Sequence, residues 1–315
     1  MSSLPAALAD AVAAALRACG DDTPIGSVRP VGGGCINNTS RLATGRRAYL
    51  LKWNATAEPG SFEQEIRGLR LLAAANAVRV PAAYATDADL AEGHAGCPAF
   101  LLLEWLEPSG DQDPARLGEQ LAALHRLDRI PAGLSGFAPP PAPTYGLDHA
   151  NLLGSTPQAN DWRAGWPEFF ADCRIRPQME LAARTGRLNA ARRRNLERLI
   201  ERLPGLLGGV DRRPSLIHGD LWSGNVIPGP GGLSLIDPAV SFSDREAEIA
   251  YTELFGGFSR RFYDAYNHAW PLDPGYPHRR DLYNLYHLLN HLNLFGESYG
   301  PGVDAVLRRF AGETV

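Results

Sequence analysis

The chain has 315 residues, 44% of them hydrophobic and 21% charged, which is enough apolar sequence for one large core or two modest ones and excludes disorder as the dominant state. Its 35 acidic side chains outnumber the 31 basic ones, for a formal net charge of -4, so the attraction that dominates nucleic-acid and anionic-membrane binding is missing and neither partner is expected. No apolar run approaches the roughly 20 residues that cross a bilayer, and the four cysteines are scattered without zinc-ligand spacing, which points to a reducing cytoplasm.

Residues 3–18 are alanine-rich but carry Asp10 and no basic leader, so they read as an amphipathic helix rather than a signal peptide. Gly32, Gly33 and Gly34 follow the short apolar segment that ends at Val31. A hairpin tip there would either turn backbone N–H groups toward a phosphate or serve as a plain flexible turn, and it lacks the closing Gly-Lys-Ser/Thr of a Walker loop. Residues 47–53 alternate as a strand, with Lys52 on the face of Leu50 and Ala48. Lys52 is the only lysine; every other member of the 31 basic residues is arginine. A site that needs a compact ammonium explains the exception, and chance survival is the plain alternative. The next helix, capped by Ser61 with Gln64 three residues on, carries Phe62, Glu65, Leu69 and Leu72 at helical spacing. Glu65 then sits in an apolar stripe and needs a cationic partner, for which Lys52 is the candidate. Such a pair is either a structural ion pair or the device with which kinases hold the α- and β-phosphates.

Downstream, residues 138–143 and 205–214 read as loops, and Arg192 to Arg194 as a solvated helix face balanced by Glu197 and Glu201. The strongest local signal is His218-Gly219-Asp220-Leu221-Trp222-Ser223-Gly224-Asn225, followed by Asp237. Asp220 to Asn225 has the Asp-x-x-x-x-Asn spacing of a kinase catalytic loop. Residues 226–236 read as a β-hairpin centred on Gly231, which would bring Asn225 and Asp237 to one end of the ladder as oxygen ligands for Mg²⁺. Asp220 becomes the carboxylate that orients the acceptor hydroxyl and takes its proton. His218 and His125 read as buried structural residues. Trp222 either stacks on a sugar or packs in the core, and His287 with His291, one helical turn apart, lack an evident third ligand for a metal.

These residues resemble the fructosamine-3-kinase (ketosamine kinase) family, which is similar to aminoglycoside phosphotransferases and choline kinases. The resemblance runs over nearly the whole chain: GGGCIN at 32–37, FEQEIRGL at 62–69, LGEQLAALH at 117–125, HGDLWSGNV at 218–226, IDPA at 236–239, TELFGGF at 252–258 and LLNHLNLF at 288–295. More particular to ketosamine kinases are Leu-Trp-Ser-Gly in the loop and Gln158-x-Asn160-x-Trp162 followed by Trp166 and Phe169-Phe170.

The resemblance implies an α+β, bilobal protein-kinase-like fold, with a small β-rich N-lobe over 1–103, a hinge over 104–109 and a mainly helical C-lobe over 110–315 that holds the catalytic loop and acceptor site. Backbone at Glu104, Trp105 and Leu106 would read adenine, with ATP and Mg²⁺ as cofactors. The implied activity is phosphate transfer to O3 of ketosamines, free or protein-bound, after which the product breaks down and releases the amine. Trp222 would lie in the acceptor site, and, since bacterial kin suggest shorter-sugar adducts, ribulosamine is expected to be favoured over fructosamine. Gly219 stands where protein kinases carry arginine and Asp237 is followed by Pro-Ala rather than Phe-Gly, so control by activation-loop phosphorylation is not expected. Cys35 stands where many kin have serine. It is either a redox-sensitive thiol, able to form a redox-dependent homodimer through a Cys35–Cys35 disulfide, or only a small loop residue. The rival readings are a kinase for choline or an aminoglycoside, and an inactive nucleotide-binding scaffold.

Overall fold

Short alternating segments and longer amphipathic ones settle the element types. The computed structural model describes residues 4–32, 37–57, 61–90, 96–108, 112–140, 144–208 and 212–312. In chain order the first elements are α1 (Ala6–Ala18), β1 (Ile25–Pro30), β2 (Asn38–Thr44), β3 (Ala48–Asn54), α2 (Glu63–Ala75), β4 (Ala83–Thr86) and β5 (Ala99–Glu104). There follow α3 (Pro114–His125), β6 (Asn151–Leu153), β7 (Thr156–Gln158), α4 (Trp166–Phe169), a π-helical stretch Phe170–Ile175, and α5 (Arg176–Arg184). The chain continues through α6 (Ala190–Leu207), β8 (Ser215–Ile217), β9 (Val226–Gly229), β10 (Gly232–Leu235), β11 (Ser241–Ser243), α7 (Arg245–Leu254), α8 (Arg260–Ala269), α9 (Tyr276–Phe295) and α10 (Gly300–Phe310). None of the helices is long and apolar enough to cross a membrane, among the described residues.

Two compact units emerge. The first comprises residues 1–113 together with 226–238, and the second 114–225 with 239–315. In the first, β1 to β5 form an antiparallel sheet of order β1-β2-β3-β5-β4. One face, carrying Leu42, Tyr49, Leu51, Phe100 and Leu102, packs against Leu8, Val12 and Leu16 of α1. The opposite face, with Leu50, Leu101 and Leu103, packs against Phe62, Ile66 and Leu69 around α2. Because helices cover both faces, β5 is buried along Ala99–Leu103 and reads as an unbroken apolar run. Helix α2 starts at Glu63, with Phe62 as its first flanking residue and no side-chain cap, so the cap expected at Ser61 lies outside the helix. At its far end Asn76 turns left-handed (φ 51°), the usual way to stop a helix without glycine.

The hairpin β9–β10, expected with the helical lobe, is tied by its contacts to the first unit. Leu235 N–H donates to the Arg79 carbonyl at 2.8 Å, and Arg79 bridges to Ser234. Its register also differs from the expected one. Gly229 pairs with Gly232 and Val226 with Leu235, so the turn is the two residues Pro230 and Gly231 rather than being centred on Gly231. Proline followed by a glycine at φ 88° is the residue pattern of a type II turn, and this local chemistry sets the register.

In the second unit, α9 is the central helix and buries Leu282, Leu285, Leu289 and Leu292. Helices α3 and α8 approach so closely that a Cβ on Gly118 would lie 2.3 Å from the Phe262 carbonyl oxygen. The arginine run is not wholly solvated. Arg192 is 4% exposed and pairs with Glu297 and with Asp304, the latter at 2.8 Å from Nε. Its partners lie more than 100 residues away in sequence, which is why local charge balance with Glu197 and Glu201 is a misleading guide to it.

Candidate active site

In the first unit, strand alternation aims Lys52 to the α2 face of the sheet, as expected from its place beside Leu50. Lys52 Nζ donates to Glu65 Oε1 at 2.8 Å and Oε2 at 2.9 Å. It also donates to Asp237 Oδ1 at 2.8 Å, across 185 residues of sequence. Lys52 is 6% exposed. Burial alone would lower its pKa, but the Glu65 and Asp237 carboxylates outweigh burial and raise it, so it stays an ammonium. Burial pushes the Glu65 carboxyl up, against the downward pull of Lys52. Asp237 is held at φ 55°, in the left-handed region that costs a non-glycine residue free energy and recurs at functional positions.

Glu104 closes β5. Its side chain accepts from Arg79 Nη2 at 3.0 Å and from the Ala82 N–H at 3.1 Å, so the carboxylate has a structural task of its own. Leu106 is buried and lies beside Gly229, where a Cβ would sit 3.5 Å from Leu106 Cβ. Gly32 has a non-positive φ, and a Cβ added to it would meet no described atom within 4 Å, so neither backbone nor space demands glycine there. Gly33, Gly34 and Cys35 lie outside the described residues.

In the second unit, the loop 218–225 is fixed from beneath. Glu248 of α7, 2% exposed, accepts the N–H of His218 at 3.0 Å and of Gly219 at 2.6 Å, and pairs with His125 Nε2 at 2.9 Å. Burial would raise its pKa; His125, His218 and the Gly219 N–H more than reverse this and keep it ionised. An ionised carboxylate only accepts, so His125 carries its proton on Nε2 and takes the Tyr266 hydroxyl on Nδ1 at 2.8 Å. Gly219 has φ 86°, and a Cβ there would lie 2.0 Å from the Ala239 carbonyl oxygen. Only glycine fits.

Asp220 follows this clamp. Its N–H donates to His218 Nδ1 at 3.3 Å, and Asn225 Nδ2 donates to Asp220 O at 2.9 Å and Oδ2 at 3.3 Å. Trp222 is 42% exposed, so its indole is not core packing. Gly224 makes room for it, since a Cβ there would lie 2.2 Å from the ring. Trp166 is buried, and Trp162 stacks on Phe242. Gln158 donates to the Ala239 carbonyl at 3.1 Å, and Asn160 accepts from Arg174 at 3.0 Å. Gln158 thus braces the segment after Asp237, Asn160 is held by His149, Asn151 and Arg174, and both are buried rather than part of an exposed site. His287 stacks on Tyr251, and His291 Nδ1 bonds to the His287 carbonyl oxygen at 2.8 Å.

Glu248 is the functional residue that sequence reasoning missed. The available signal is a carboxylate next to Ile249, Ala250 and Tyr251, the apolar part of its helix.

The profile of the fructosamine kinase family matches residues 9–312. The chain belongs to the fructosamine kinase family. It is 41% identical over 286 residues to a protein named probable ketoamine kinase from Enterococcus faecium, covering 90% of this chain and 95% of that one. It is 36% identical over 292 residues to the chloroplastic protein-ribulosamine 3-kinase of Oryza sativa subsp. japonica, covering 91% and 80%. Among solved structures, one named as a fructosamine-3-kinase from Thermobifida fusca superposes with a TM-score of 0.78 at 30% identity, over 94% of this chain and 96% of that one. An aminoglycoside phosphotransferase in ternary complex with streptomycin and ATP superposes with a TM-score of 0.61 at 16% identity, over 99% and 98%, and shares the fold. The α+β, protein-kinase-like fold and an ATP-dependent phosphotransferase activity are therefore those of this family member.

Proposed function

We propose that the chain transfers the γ-phosphoryl group of ATP to O3 of a ketosamine, a sugar adduct on a free amine or a protein lysine, and so starts its removal. The observation that carries this reading is the joining of the lone lysine to Glu65 and Asp237 in a chain whose relatives are named ketoamine and ribulosamine kinases. In this scheme the Lys52 ammonium binds the α- and β-phosphates and is oriented by Glu65. Asp220 accepts the proton of the sugar hydroxyl as its oxygen bonds to the γ-phosphorus and the bond to the ADP oxygen breaks. The exposed indole of Trp222 offers a face for the sugar.

Asn225 and Asp237 are the residues that would hold Mg²⁺. Both are oxygen donors of the kind that hard cations take, and Asn225 directs its amide N–H groups to Asp220, which leaves the amide oxygen as its ligand end. When bound, the metal supplies charge neutralisation on the β- and γ-phosphates. The Glu104–Leu106 backbone is assigned to adenine, and the cytoplasm is the proposed compartment.

The reading is tested by incubating the protein with ATP, Mg²⁺ and, side by side, ribulose-lysine, erythrulose-lysine, fructose-lysine, choline and an aminoglycoside. Turnover of the ketosamines, ribulose-lysine fastest, is expected. Turnover confined to choline or the aminoglycoside would overturn the substrate assignment, and none with any acceptor would favour an inactive scaffold.

A further inference from the structure

Single apolar side chains scattered on a surface are ordinary, but a gathering of them marks a place where something binds. Among the described residues, the large apolar side chains left exposed are Trp222, Phe255 and Phe295, at 42%, 44% and 54%. The fold gathers them. The loop 218–225 lies along α7: Glu248 takes the N–H groups of His218 and Gly219 from beneath, and past the end of the helix Gly257, at φ 96°, comes so near that a Cβ on it would lie 2.4 Å from Ser223 Oγ. Trp222 adjoins one side of that contact in sequence, and Phe255 stands two residues from the other. Two ladders of rings at a spacing of four residues continue from there, Tyr251 and Phe255 at the end of α7 against His287, His291 and Phe295 of α9. Tyr251 stacks on His287, with centroids 3.5 Å apart at 9°, and Phe255 meets His291 at 4.9 Å. Phe295 and Tyr299 flank His291 at 5.5 and 5.0 Å. The inner rungs, Tyr251 and His287, are buried, whereas Phe255 and Phe295 face solvent.

A ketosamine carries a secondary amine that is protonated near neutral pH, and only three carbons separate its nitrogen from O3. With O3 at Asp220, the ammonium and the chain it bears leave alongside the loop that carries Asp220. The carboxylates nearest these rings in sequence are engaged elsewhere. Glu253 accepts the Tyr276 hydroxyl at 2.7 Å and pairs with Arg280 at 3.3 Å, and Glu297 pairs with Arg192. His291 brings no competing charge, since its Nδ1 is bonded to the His287 carbonyl oxygen and burial lowers its pKa. Aromatic faces, which carry the negative side of the ring quadrupole, remain to receive a cation. We propose that Phe255 and Phe295, both in contact with His291, are specificity-determining residues that receive the amine side of the ketosamine, with its ammonium on their ring faces and its chain on their apolar area. The proposal rests on the reading of the chain as a ketosamine kinase.

The test is steady-state kinetics of the parent, Phe255→Leu, Phe255→Trp and Phe295→Leu, with thermal melting to establish that each is folded. Leucine keeps an apolar side chain and removes the ring face, whereas tryptophan keeps the face. Phe295 is the more exposed of the two, so the test does not depend on Phe255, whose ring also meets Tyr251 at 6.0 Å. With ribulose-lysine, each leucine variant is expected to raise KM for the acceptor roughly threefold to tenfold, the scale of one cation–π contact. KM for ATP should hold and kcat should change less than the acceptor KM, as for an interaction made equally in ground and transition states. Phe255→Trp should stay near the parent. With a neutral acceptor, in which an ether oxygen replaces the amine nitrogen of the ketosamine, the parental KM should rise and the leucine variants should no longer differ from the parent. A parental KM for ribulose-lysine in both leucine variants, or the same rise with the neutral acceptor as with the amine, would overturn the proposal. Self-association of the parent that Phe295→Leu abolishes without a change in KM would also overturn it, by assigning the rings to a second copy of this chain. A parent that turns over no ketosamine would instead overturn the reading on which the proposal rests, so the two failures are distinct.

Discussion

Replacing Glu248 by glutamine keeps the shape of the side chain and swaps one acceptor oxygen for an NH₂ group. In the parent, the carboxylate serves three donors: the N–H groups of His218 and Gly219 at 3.0 and 2.6 Å, and His125 Nε2 at 2.9 Å. The amide oxygen can serve the donors on one side only. The NH₂ end then faces a donor, leaving two buried N–H groups without acceptors at about 1–3 kcal/mol each. The expected loss is about 2–6 kcal/mol, out of a stability on the order of 5–15 kcal/mol. The loop that carries Asp220 loses its anchor at the same time, so kcat should fall by at least an order of magnitude while KM for ATP holds. Urea unfolding and steady-state kinetics measure both. A Glu248→Gln variant within about 0.5 kcal/mol of the parent, with unchanged kcat, would refute the clamp.

Three further outcomes are expected. Lys52→Arg should lose turnover although it keeps the charge, because a planar fork cannot take the place of an ammonium that meets Glu65 and Asp237 at 2.8 Å; wild-type kcat would make the lone lysine an accident. Gly219→Ala places a Cβ 2.0 Å from the Ala239 carbonyl oxygen at φ 86°, so it should lose at least about 2 kcal/mol in urea unfolding; an unchanged midpoint would contradict the geometry. For pH, His287 is held well below the usual imidazole range by burial and nearby positive charge. The unfolded ring takes up a proton below about pH 6.5 while the folded one does not, so its contribution is intact above that pH and declines below it by up to about 1.4 kcal/mol per unit. His287→Asn should flatten the dependence between about pH 6.5 and 5, and an identical slope would show that the ring is not buried neutral.

Much of the site is legible in the chain because its chemistry is written in residue types. A single lysine, a carboxylate in an apolar helical stripe, and the spacing from Asp220 to Asn225 each narrow the choice to one residue. What is not legible depends on the backbone or on distant partners. Glu248 acts on main-chain N–H groups, which carry no sequence signature, and in α7 it sits near Glu246 and Glu253 as if on a solvated face. Arg192 wears the same disguise, since Glu297 and Asp304 reach it only through the fold. The hairpin is plain in the sequence but its register is not, because Pro230 and Gly231 form a two-residue turn where symmetry in sequence suggests a centre on Gly231.

Two facts are decisive for the proposed chemistry: where the phosphate goes, and which carboxylate sends it there. Phosphorus NMR of the product from ribulose-lysine, ATP and Mg²⁺ should show a phosphate monoester coupled to the hydrogen on C3, formed by the parent and absent with Asp220→Asn even though that variant still binds ATP. A phosphate on another oxygen, or a product formed by Asp220→Asn at the parental rate, would contradict that chemistry.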